Sequence, residues 1–138
     1  MAIFQRSVAG TLRNRLREVA RTFSGEPPTP EETRLRLELV LKARKELAGG
    51  QAELLRLLGP SGAANALGDA ERIAAYADSL AVEAVVNQAA GQTERAEAMR
   101  REAVAVAREA QRRAAAPDTE VERLIARGGV LDLSDDVR

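Results

Sequence analysis

The chain has 138 residues, with 21 basic and 21 acidic side chains, no cysteine and no histidine. Disulfides and thiol chemistry are excluded, along with the commonest general base, metal ligand and pH switch. The length fits one domain, no apolar run approaches a membrane span, and a net charge of zero gives no global basic excess for nucleic acid.

The only aromatics are Phe4, Phe23 and Tyr76. Burial must therefore come from Leu, Val and many alanines, and each alanine methyl contributes little at about 25 cal/mol per Å². Such a chain is expected to gain stability from close helix packing and from assembly with partners. The expected fold is all-α: an N-terminal amphipathic helix, a Leu-rich helix and an Ala-rich helical hairpin forming a small bundle, then a short C-terminal helix and tail. In segments, 1–24 is the amphipathic basic helix, 25–30 a Pro-rich linker, 31–117 the bundle core and 118–138 the short helix with its acidic tail.

Residues 1–24 carry five Arg and one Glu. At 100° per residue, Phe4, Val8, Leu12, Leu16, Val19 and Phe23 fall within an arc of about 120°. Arg6, Arg13, Arg17 and Arg21 fall on the opposite side. Three surfaces could receive the apolar stripe. The favoured one is a helix of the same fold or of a neighbouring protomer. The second is an anionic membrane surface, with the arginines on the headgroups. The third is nucleic acid through phosphate contacts alone, which the missing lysines and stacking aromatics weaken. The layout of a short amphipathic helix, a Pro-containing break and further helices resembles the membrane-remodelling phage-shock family. The resemblance extends only to that layout and to Met1-Ala2-Ile3-Phe4. It implies membrane binding by the first helix, but the chain is much shorter and lacks that family's long continuous hairpin. The segment lacks the apolar stretch of a secretory signal, and its Arg-rich, acid-poor pattern is similar to an organellar transit peptide. With Met1 in place, an uncleaved chain in a bacterial or viral cytoplasm is the expectation, with peripheral membrane attachment as the variant.

Gly25-Glu26-Pro27-Pro28 should stop the first helix, since proline removes donors and fixes φ. Thr29 as N-cap, Pro30 at the first position and Glu32 in a capping box should start the second. That helix is expected to run to about Leu58 and to stop at Gly59-Pro60, with Gly49-Gly50 kinking or splitting it. Its bulky apolar residues from Leu35 to Leu58 cover well over half its circumference, which suits packing on more than one neighbour. Glu32–Arg36 and Glu38–Lys42 are spaced as i,i+4 ion pairs.

Residues 61–117 hold 20 of the 27 alanines. A loop near Ser61-Gly62 should precede a helix from about Asp69 to Ala90. Gly91 marks a turn, and Thr93 could cap a helix running to about Ala115, before Pro117. Gly68-Asp69-Ala70-Glu71-Arg72 is echoed by Gly91-Gln92-Thr93-Glu94-Arg95. Ala90, Gly91, Ala103 and Ala110 resemble the small-residue positions of a tetratricopeptide repeat, but the aromatic positions are unfilled and the spacing is not that repeat's. Small residues here serve close helix approach.

The last 21 residues carry three basic and six acidic side chains. A short helix from Asp118 to about Arg127 should end at Gly128-Gly129. Val130, Leu131 and Leu133 alternate with acids in the tail, which could dock on the basic first helix, most readily that of a neighbouring protomer.

No residue is assigned a catalytic, cofactor-binding or metal role. The serines and lysines lack a His or Cys partner, and no glycine pair has phosphate-loop spacing. Glu94 and Glu97 resemble one half of the E-x-x-E and E-x-x-D pairing by which helical nucleotide pyrophosphohydrolases hold Mg²⁺. The second half is absent, and Glu97 has Arg101 beside it. The expected function is thus a non-enzymatic structural or assembly subunit in a homo-oligomer or larger complex, such as a virion connector, a scaffold component or a cytoplasmic assembly factor. The alternative is a peripheral membrane protein acting through the first helix. No small-molecule substrate is expected.

Overall fold

A computed structural model describes residues 8–23 and 26–133. It is all-α: α1 (Val8–Arg21), α2 (Pro30–Ala48), a 3₁₀ turn (Gly49–Gln51), α3 (Ala52–Leu67), α4 (Ala70–Ala89), α5 (Thr93–Arg113) and α6 (Thr119–Ala126), with no strand among the described residues. The expected small helical bundle is the observed one. Its axle is α4, buried without interruption from Ile73 to Ala84. Ile73, Tyr76 and Leu80 form its one bulky ridge, while alanines at 74, 75, 77, 81 and 84 keep the rest of its surface small, so other helices approach it from several directions. The most extensive contact is with α5, and α1, α2 and α3 also pack on α4. Gly91, at φ 85°, turns the chain between α4 and α5. The facing side of α5 is again small, with Ala96, Ala103, Ala107 and Ala110 buried around Met99 and Val106.

Local signals explain the boundaries. The Thr29 hydroxyl accepts from the Glu32 amide at 3.1 Å, and the Glu32 carboxylate accepts from the Thr29 amide at 2.9 Å, with Pro30 opening α2. Asp69 caps α4 by accepting from the Arg72 amide. The Leu-rich helix splits at Gly49, whose φ of 62° disfavours other residues. Gly59-Pro60 does not end the helical stretch. Gly59 (φ 77°, ψ 172°) breaks α3, but the helix resumes at Pro60 and continues to Leu67. Proline fits that restart because its missing N–H would have no intrahelical partner there. Ser61 and Gly62 are therefore helical instead of forming the expected loop. Thr93 is the first residue of α5, and Gln92 occupies the cap without a side-chain hydrogen bond.

Candidate interaction surfaces

Helix α1 buries a different face from the one its apolar stripe marks. The buried residues are Ala9, Leu12, Arg13, Leu16, Arg17 and Ala20. At 100° per residue, their centre lies about 90° from the centre of the stripe, on the arginine side. Leu12 and Leu16 are buried as expected, Val19 packs only partly on the core, and Val8 is 63% exposed. Phe23 is half-buried beyond the helix end, its ring 5.0 Å from the Arg36 guanidinium. Phe4 and Arg6 lie outside the described residues. The physical cause of the rotation is twofold. Ala9 and Ala20 let the helix approach α4 closely, and Arg13 and Arg17 find carboxylates there.

Of the arginines opposite the apolar stripe, Arg13 and Arg17 are turned into the bundle, at 9% and 8% exposed. Arg13 Nε donates to Asp78 Oδ2 on α4 at 2.9 Å, and its Nη1 donates to Asp118 Oδ2 at 2.9 Å. Arg17 Nη2 lies 2.7 Å from Glu120 and 3.8 Å from Asp78. Arg21 is half-buried and pairs with Glu18. Burial pushes the Asp78 carboxyl above its ordinary value, and Arg13 and Arg17 pull it back only in part. Burial also pushes Asp118 up, but its Arg13 hydrogen bond and charge and the amides of Val121 and Glu120 more than offset this, leaving it below the usual range. Burial lowers Arg13, whereas Asp78 and Asp118 raise it further, so the guanidinium stays charged.

A second buried network lies between α4 and α2. Arg44 Nη2 is 2.6 Å from Glu83 Oε1, and Arg44 Nε donates to Ser79 Oγ at 2.9 Å. The same guanidinium lies 5.8 Å from the centre of the Tyr76 ring. Burial pushes the Tyr76 phenol up to about 12, against a downward pull from Arg44, so it remains neutral. None of Asp78, Glu83 and Arg44 was marked by motif reading. A signal was present, however: Asp78 and Glu83 are the only charged residues between Arg72 and Glu94. Two acids isolated in an alanine helix require arginines from elsewhere.

The tail residues separate in the same way. Leu131 is buried, Leu133 packs partly on the core and Val130 is exposed. Arg17 Nη1 donates to the Asp132 carbonyl at 3.3 Å. The described part of the tail, residues 130–133, therefore lies beside the basic helix of its own chain.

The largest departure from a closed core is on α2 and α3. Only Val40, Ala43, Arg44 and Leu47 of α2 are buried, an arc of about 100° at 100° per residue. Leu35 and Leu39 lie on one flank of that arc and Leu41 on the other, all exposed. On α3 the exposed leucines are Leu54, Leu57 and Leu58, with Leu57 at 83%. Between α1 and α2 runs a groove of about 350 Å³ whose floor includes Leu16, Val19, Leu39 and Ala43. Lys42 stands at its rim; among the described residues Glu38 and Lys42 form no pair, and Arg36 Nη1 reaches only the Glu32 backbone carbonyl, at 3.3 Å. Glu32 is engaged in the capping box, and Arg36 donates to Thr22.

Glu94 and Glu97 are exposed on α5, and no group of three potential metal ligands forms among the described residues. No helix among them is long and apolar enough to cross a membrane. Comparison with family models, curated proteins and solved structures finds no match for the chain.

Proposed function

We propose that this protein is a non-enzymatic structural or assembly subunit that works by helix packing within a homo-oligomer or larger complex. The observation that carries the reading is the set of six exposed leucines on α2 and α3. Together their exposed fractions amount to roughly three whole leucine side chains, each worth about 1.5–3 kcal/mol on full burial. Three of them, Leu54, Leu57 and Leu58, recur at i, i+3, i+4 on α3, and clustered apolar surface commonly marks an interaction site. The buried carboxylates Asp78 and Glu83 are held by arginines, which supports a scaffolding role for them. The membrane reading has less support, because two of the arginines it needs are engaged in the bundle interior.

Light scattering at low and high micromolar concentration tests the proposal. The expected result is a mass that rises above the monomer with concentration. A clean monomer at high micromolar concentration would refute it.

A further inference from the structure

We infer that the partner is a second copy of this chain, joined head to tail: the α3 leucine ridge of one copy enters the α1–α2 groove of the next. This rests on the assembly reading above and adds the surfaces and the occupant. Three observations carry it. First, the ridge protrudes. Leu55 and Ala52 face inward, and at 100° per residue Leu57 points almost opposite to them, with Leu54 and Leu58 about 60° and 100° to one side of it. An i, i+3, i+4 leucine set is the form by which a helix enters an apolar groove. Second, the groove is lined by Leu16, Val19, Leu39 and Ala43 from two helices, with Arg15, Glu18, Lys42 and Glu46 as its charged lining and the Arg15–Glu46 pair joining α1 to α2 at 3.1 Å.

Third, once the pairs Arg15–Glu46, Glu18–Arg21 and Arg56–Glu102 are set aside, one charge beside each surface is left over, and the two have opposite sign. Glu53 is exposed one turn before Leu57, and Lys42 stands at the groove rim. Neither has an ion-pair partner among the described residues. Seating the ridge brings a free carboxylate toward a free ammonium. The chain's zero net charge adds no long-range repulsion between copies. Ridge and groove are different surfaces, so the contact is heterologous, and repetition produces a ring or a filament.

The test uses full-length Leu57→Glu, which removes the ridge, and Leu39→Glu, which blocks the groove. Both positions are at least half exposed, so circular dichroism should report unchanged helix content. Sedimentation velocity should show the wild type as a concentration-dependent series beyond the dimer. Each variant alone should be monomeric, with apparent association weakened at least tenfold. The two mixed should form a 1:1 dimer and nothing larger, because one intact ridge meets one intact groove. Wild type that assembles alongside one or both variants that assemble equally well would overturn the head-to-tail contact while leaving the assembly reading standing. So would a mixture that stays monomeric. A monomeric wild type would overturn both. If either glutamate variant fails to fold, Lys42→Glu and Glu53→Lys take its place. Each alone should weaken association, and the double variant should recover it; no recovery would overturn the proposed pairing.

Discussion

Asp118 uses one oxygen to cap α6, accepting from the Glu120 and Val121 amides, and the other to accept from Arg13. Asparagine caps a helix about as well as aspartate, so Asp118→Asn isolates the charge. The folded carboxyl lies below its ordinary value of 3.8. Its contribution is therefore complete above that pH and is lost as pH falls through the folded value. Urea unfolding should show Asp118→Asn less stable than wild type by under about 2 kcal/mol at pH 7. The gap should narrow below pH 3.8, as the wild type protonates too; a gap that stays constant to pH 2 would contradict the assignment. Asp78 is the harsher case, because it faces both buried arginines. Asp78→Ala leaves Arg13 with Asp118 alone and Arg17 with Glu120 alone, and should cost about 1–3 kcal/mol in the same measurement. A loss under about 1 kcal/mol would show that the network is dispensable.

At the scale of elements, Gly129 decides whether the segment after α6 can lie against α5. Its φ is 93°, and a Cβ there would come within 2.5 Å of the Arg100 carbonyl oxygen. That atom is backbone and cannot swing aside. Gly129→Ala should destabilise the fold by about 1–3 kcal/mol and raise amide exchange in residues 130–133. Unchanged exchange there would separate this glycine from the seating of Leu131. Elements were largely legible where local chemistry sets them. The Thr29–Glu32 box, the Gly91 turn and the Gly128-Gly129 stop are all written in adjacent residues. The orientation of α1 was not. A hydrophobic arc counts Val8 and Phe23 toward the buried face and arginine against it. The actual face is set by what lies opposite, namely the small-residue flank of α4 that carries Asp78. A glycine–proline step was equally ambiguous, since Gly59-Pro60 can end one helix or begin the next.

At the scale of the whole molecule, opposite charges at the two chain ends anticipated the contact between them but not its owner. Residues 1–24 hold five Arg against one Glu, and residues 118–138 six acids against three Arg. Composition cannot distinguish a contact within one chain from one between two. The geometry settles the described part within the chain: Arg17 holds Glu120 and the Asp132 carbonyl, and Leu131 is buried. Deleting residues 130–138 should therefore lower stability while leaving assembly through α2 and α3 unchanged. The loss should include burial of Leu131, about 1.5–3 kcal/mol. Oligomer mass should match that of the full chain at low salt. It should also match at 1 M salt, where the Debye length of about 3 Å leaves little for charge to do at a distance. Light scattering of both proteins at equal concentration checks this. A truncated chain that stays monomeric where the full chain assembles would return the tail to the role of a clasp between protomers.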